Sequence, residues 1–157
     1  MSISQLFQPN QYTLYGNFQA SASGTVEDEL VLQYATTNLD PTYAFNKVSY
    51  SVFGKCVSFQ AIIKLSTKGA GNGEVSITLP DSMPQAYVDV DNPQICQLVC
   101  VPAGPDGYKD WWGEFDIDRK IYLWRRDDVE DGPIDILDAT EVAPTTMIKL
   151  AGVYFTE

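Results

Sequence analysis

Histidine is missing altogether from this 157-residue chain. That absence removes Ser–His and Cys–His nucleophile pairs, His-containing zinc sites and the commonest general base at neutral pH. Catalysis would have to run on carboxylates alone, so an enzyme is disfavoured and no cofactor is expected. Cysteine is scarce as well. Cys56, Cys96 and Cys100 are too few, and odd in number, for a disulfide framework, and are expected as reduced, buried thiols. Positive charge is short: 10 Lys and Arg against 21 Asp and Glu leave a net charge of −11. Such a surface repels phosphate backbones and anionic lipid, which sets nucleic acid and membranes aside as partners. No apolar run reaches the roughly eighteen residues that span a bilayer. The opening MSISQLFQPNQ has neither a basic start nor a long apolar stretch, so no secretory signal is expected in it.

Helical periodicity and fixed-period repeats are almost absent too, which leaves β-structure. The content is 45% hydrophobic and 20% charged, enough to bury one core in a single domain without staples. Residues 1–28 read as an extended N-terminal arm, carrying Phe7, Tyr12, Leu14, Tyr15 and Phe18 before a joint of Ala, Ser and Gly at 19–25. The β domain is expected over residues 29–157.

Short strands bounded by turn residues follow one another from Glu29 on. Residues 47–65, KVSYSVF-GK-CVSFQAIIKL, fix a hairpin. With Gly54 first in a two-residue type II′ turn, Val52 faces Val57, Tyr50 faces Phe59 and Val48 faces Ala61. Phe53 then faces Cys56, Ser51 faces Ser58 and Ser49 faces Gln60, which gives one apolar side and one mostly polar side. STKGAGNG is a loop without the Gly-Lys-Ser/Thr ending of a phosphate cradle. EVSITLP alternates Val75, Ile77 and Leu79 inward with Ser76 and Thr78 outward, until Pro80 stops it. QAYVDV and ICQLVCV are two further strands, the second apolar on nearly every position, as for a strand covered on both faces. YKDWWGEFDID and RKIYLWRRD form another hairpin with an open register at 118–120. IDIL is a short strand or a helical turn, and TMIKLAGVYF a last buried strand. Eight or nine such strands predict an antiparallel β-sandwich of the jelly-roll kind.

The passage VFGKCVSFQAIIKLSTKGAGNGEVSITLP resembles one found in virus and phage fibre heads, where a tight Gly turn runs through a Gly/Thr/Ser loop into a strand ending in Leu-Pro. The closing KLAGVYFTE resembles the final strand of the same domains, and PNQYTLYGN resembles a segment preceding such heads in large DNA virus proteins. These heads are of the tumour-necrosis-factor-like and complement globular-head type. The resemblance implies a homotrimeric, non-enzymatic viral structural protein: a fibre head, knob or capsid-decoration domain. Such a domain is made in the host cytoplasm and displayed on the virion surface, where it serves assembly and host attachment. The arm would anchor it to other capsid or fibre proteins, and a host glycan or receptor would be its ligand. No collagen-like stalk or heptad shaft precedes the head, which favours a short knob over a long fibre.

The densest aromatic cluster, Tyr108, Trp112, Tyr122 and Trp124 with Arg125 and Arg126, is the candidate binding surface. Tryptophan, tyrosine and arginine are the residues of binding hot spots, and flat rings also stack on sugar C–H faces. Alternation sends Trp111, Phe115 and Ile117 to one face and Trp112, Glu114 and Asp116 to the other, so Trp112 is the better exposed candidate. The alternative class is therefore a carbohydrate-binding module or lectin-like sandwich, and a carboxylate hydrolase is a third. Glu114, Asp116 and Asp118 at alternate positions could start a calcium site with Asp127, Asp128, Glu130 and Asp131. A solvated acidic face accounts for them as well, and no metal is assigned.

Overall fold

A computed structural model describes residues 22–36, 41–89, 91–101, 108–127 and 134–157. Its described residues form one antiparallel sheet of ten strands. In chain order these are β1 (Ala22–Glu27), β2 (Val31–Thr36), β3 (Thr42–Phe53), β4 (Cys56–Thr67), β5 (Asn72–Thr78), β6 (Ile95–Val101), β7 (Tyr108–Phe115), β8 (Lys120–Asp127), β9 (Ile134–Ile136) and β10 (Met147–Phe155). The spatial order is β1-β3-β4-β10-β6-β7-β8-β5-β2, with β9 beside β8. The sheet curls into a half-barrel.

The β3–β4 hairpin has the register that its sequence demands, from Phe53 opposite Cys56 down to Val48 opposite Ala61. Gly54 carries the positive φ of 61° that a type II′ turn needs at its first central position. On β4, Val57, Phe59, Ala61, Ile63 and Leu65 all lie inside, while Ser58, Gln60 and Lys64 face solvent. Val75, Ile77 and Leu79 are buried as their alternation predicts. Ser76, expected outside, is buried as well; it is a short side chain standing between the longer Gln33 on β2 and Tyr122 on β8.

Four further expectations are corrected. Ala22–Glu27, placed in the arm and its Ala/Ser/Gly joint, is an edge strand: Ala22 pairs with Val52, and Glu27 with Lys47. QAYVDV is not a strand over its described residues; the Tyr87 N–H donates to the Phe155 carbonyl at 2.7 Å, and the Gln94 side chain donates to the Tyr87 carbonyl at 2.6 Å. ICQLVCV is a strand, but Ile95 on its outer side is 59% exposed, so it is not covered on both faces there. Ile117 does not join Phe115 inside. The Asp116 N–H donates to the Lys120 carbonyl and the Lys120 N–H to the Ile117 carbonyl, so two residues of one arm face one of the other. That bulge, with Asp118 and Arg119 both at positive φ, turns Ile117 outward.

The core is one cluster drawn from both halves of the curl. Phe59 meets Phe115 and Tyr154 edge-on, with centroids 5.9 and 5.8 Å away. Residues 79–89 contribute Leu79, Met83 and Ala86 to that core, and two tyrosines tie the segment down: the Tyr50 hydroxyl donates to the Ser82 carbonyl and the Tyr154 hydroxyl to the Pro84 carbonyl. The two ends of the sheet are held near each other. Buried Asn46 on β3 donates to the Leu30 carbonyl at 2.6 Å, and the Tyr43 hydroxyl accepts from the Leu32 N–H at 2.8 Å. Cys96 sits against two glycines on neighbouring strands. A Cβ at Gly113 would come within 2.6 Å of its Sγ, and one at Gly152 within 2.9 Å of its Cβ, so neither position admits a side chain without a shift.

Candidate functional site

The inner side of the sheet is filled, which leaves the outer face and the strand ends to meet a partner. Register brings side chains of distant sequence into rows across that face. One row runs Gln97, Trp112, Trp124, Ile136 over β6, β7, β8 and β9. The two indoles are parallel to within 7° with centroids 6.2 Å apart. An adjacent row on the same face runs Ile95, Glu114, Tyr122, Ser76, Gln33. Beside Trp112 lies an open cleft of about 380 Å³, bordered by Ile95, Gln97, Trp111, Ala151 and Gly152.

Trp112, Tyr122 and Trp124 are thus brought together on one face, as alternation suggests for Trp112. Arg125 is on the other face, where it pairs with Glu141 and both side chains are nearly buried. Glu141 also accepts the Asp138 N–H and completes a capping box on the 3₁₀ turn Ala139–Glu141. Arg126 is exposed, 3.9 Å from Asp110. The Tyr108 backbone is in β7, but its side chain lies outside the described residues, as do the arm residues Phe7, Tyr12, Leu14, Tyr15 and Phe18. The Trp124 indole N–H is buried without a hydrogen-bond partner among the described residues, which costs stability at this position.

Glu114 is held above the ordinary carboxylate range, first by partial burial and then by the neighbouring charge of Asp116. Asp118 stands in the turn after β7, at a φ of 57°, and not on the strand that carries Glu114. Among the described residues no three Asp, Glu, Cys or His side chains are grouped to hold a metal ion. The acidic residues 128–131 are outside the described part.

A second feature of the outer face was not singled out in the sequence. Phe53, Cys56 and Phe155 stand side by side on β3, β4 and β10. With Tyr87, Val153 and Ile95 they form an apolar end of the molecule in which Phe53 is 41% and Phe155 57% exposed. Gln94 fixes this end: its amide donates to the carbonyls of Tyr87 and Phe155 and accepts the Phe155 N–H. The signal was present in the hairpin, because the register that puts Ser51 and Ser58 on the polar side puts Phe53 there too.

These features define an antiparallel β-sheet protein with an aromatic pair and an apolar end on its outer face. The chain matches no protein-family model, no curated protein and no solved structure.

Proposed function

We propose that the chain is a non-enzymatic head domain of the jelly-roll kind, one subunit of a homotrimer displayed on a virus particle. Its work there is assembly and host attachment. The viral part of the reading is supported by the resemblance of residues 53–80 and 149–157 to fibre-head passages. The assembly part is carried by one observation, the exposed apolar end built from Phe53, Phe155, Val153, Ile95 and Tyr87. Contiguous apolar surface on rigid elements marks an interaction site, and the partner in this reading is a second copy of the chain. Strand backbones and the Gln94 clamp hold these side chains before contact, so little ordering entropy opposes association.

Light scattering after size exclusion tests this directly. The expected mass is three times 17.4 kDa, falling to one copy in a Val153→Glu, Phe155→Glu variant whose circular dichroism is unchanged. A clean wild-type monomer at micromolar concentration would sink the assembly reading.

A further inference from the structure

We infer that the Trp112–Trp124 pair and the cleft beside it bind a neutral pyranose sugar of a glycan. Two parallel indoles with centroids 6.2 Å apart are not in full face-to-face contact, so each leaves part of its π face uncovered by the other. Both rings are half-buried, the Trp124 N–H being covered, and they stand on inner strands of the sheet, flanked by Gln97 and Ile136. A pyranose offers what such a surface needs: a flat patch of C–H bonds, surrounded by hydroxyls that must keep hydrogen-bond partners when they leave water. The sequence supplies those partners at the edge. Gln97, directly across from Trp112, has an exposed amide that both donates and accepts. Glu114, two residues along the same face and opposite Tyr122, can accept from two hydroxyls.

The space fits a single ring better than a peptide anchor. The cleft is about 380 Å³, at the small end of ligand sites, and small Ala151 and Gly152 at its border leave the Trp112 edge accessible. Charge selects the sugar class. A net charge of −11, with the Glu114 carboxylate at the site, disfavours sialylated and sulfated glycans by like-charge repulsion. A neutral hexose meets no such penalty. One ring in an open cleft has few atoms with which to offset the cost of association, so the single-site Kd is on the order of 1 mM. Several copies on one particle would raise the apparent affinity by avidity. The site does not depend on the oligomer, since every residue named comes from one chain.

The experiment titrates the full chain with methyl glycosides of glucose, galactose and mannose, and with sialyllactose, following tryptophan fluorescence and ligand NMR saturation transfer. At least one neutral glycoside should bind saturably, and sialyllactose should bind more weakly than its neutral counterpart lactose. Trp112→Ala should weaken binding at least tenfold and Gln97→Ala several-fold, while Trp112→Phe, which keeps a smaller ring and guards against misfolding, should retain part of it. Phe45→Ser, an exposed position away from the cleft, should change nothing. Failure of every neutral sugar to saturate at ~50 mM, preference for the sialylated ligand, or full binding by Trp112→Ala would each overturn the inference. So would a wild type that ignores all sugars while Trp112→Ala changes the oligomeric mass, which would assign the pair to a protein contact.

Discussion

Phe59→Ala, set against Gln60→Ala, tests the register on which the whole sheet depends. Phe59 is 2% exposed, on the inner side of β4, and its ring meets Phe115 and Tyr154 edge-on. Deleting a buried ring of this size costs ~3–5 kcal/mol in lost transfer energy and residual cavity. Each edge-on aromatic contact carries about 0.5–1.5 kcal/mol beyond burial, which puts the expectation in the upper half of that range. The adjacent Gln60 faces solvent, and its truncation should stay within about ±0.5 kcal/mol. Equilibrium urea unfolding, followed by tryptophan fluorescence, reads both. With a slope of ~2 kcal/mol/M, a loss of ~4 kcal/mol moves the midpoint down by about 2 M. Should that exceed the total stability, Phe59→Leu gives a smaller loss of the same sign, and a Phe59/Tyr154 double-mutant cycle should return a coupling of about 0.5–1.5 kcal/mol. Equal losses at 59 and 60, or a larger loss at 60, would refute the register.

Arg125→Ala should destabilise the fold by ~3–5 kcal/mol, because it leaves Glu141 nearly buried without its cation; replacing both residues by apolar ones should cost less, and thermal unfolding of the wild type and the two variants decides it. Cys56 should react with iodoacetamide in the native protein well before Cys96, whose thiol burial pushes up to about 12; equal rates at pH 8 by mass spectrometry would contradict the burial. The Asp138 carboxyl is held below the ordinary range, first by the hydrogen bond from the Thr140 N–H and then by that from the Thr140 hydroxyl. A depressed folded pKa contributes stability that is present above the unfolded value of about 3.9 and is lost as pH falls through the folded one. Asp138→Asn keeps an N-cap acceptor and should flatten that part of the acid unfolding curve below about pH 4, whereas Asp138→Ala should cost about 1 kcal/mol at neutral pH.

Much of the local structure was written in the residues themselves. Period-two alternation and a Gly-first turn determined the 47–65 hairpin down to each facing pair, since a slip of one position would have exposed Phe59 and Val57 together. The absence of histidine and the net charge of −11 bounded the chemistry before any geometry was known. Tertiary structure alone decided the rest, because each remaining feature depends on strands far apart in the chain. Ala22–Glu27 has too little apolar surface to announce a strand, yet the free edge of β3 offers its backbone hydrogen bonds to a partner, and the segment takes them. Alternation failed at Ile117 because a bulge beside the turn, where Asp116 and Ile117 both face Lys120, inserts a residue, which no periodicity encodes. Local sequence sent Trp112 outward, but only the register of β7 with β8 could set it beside Trp124, and Arg125 beside Glu141 on the opposite side. Phe53 and Phe155 are 102 positions apart, and a strand order that no local pattern carries makes them neighbours on the surface.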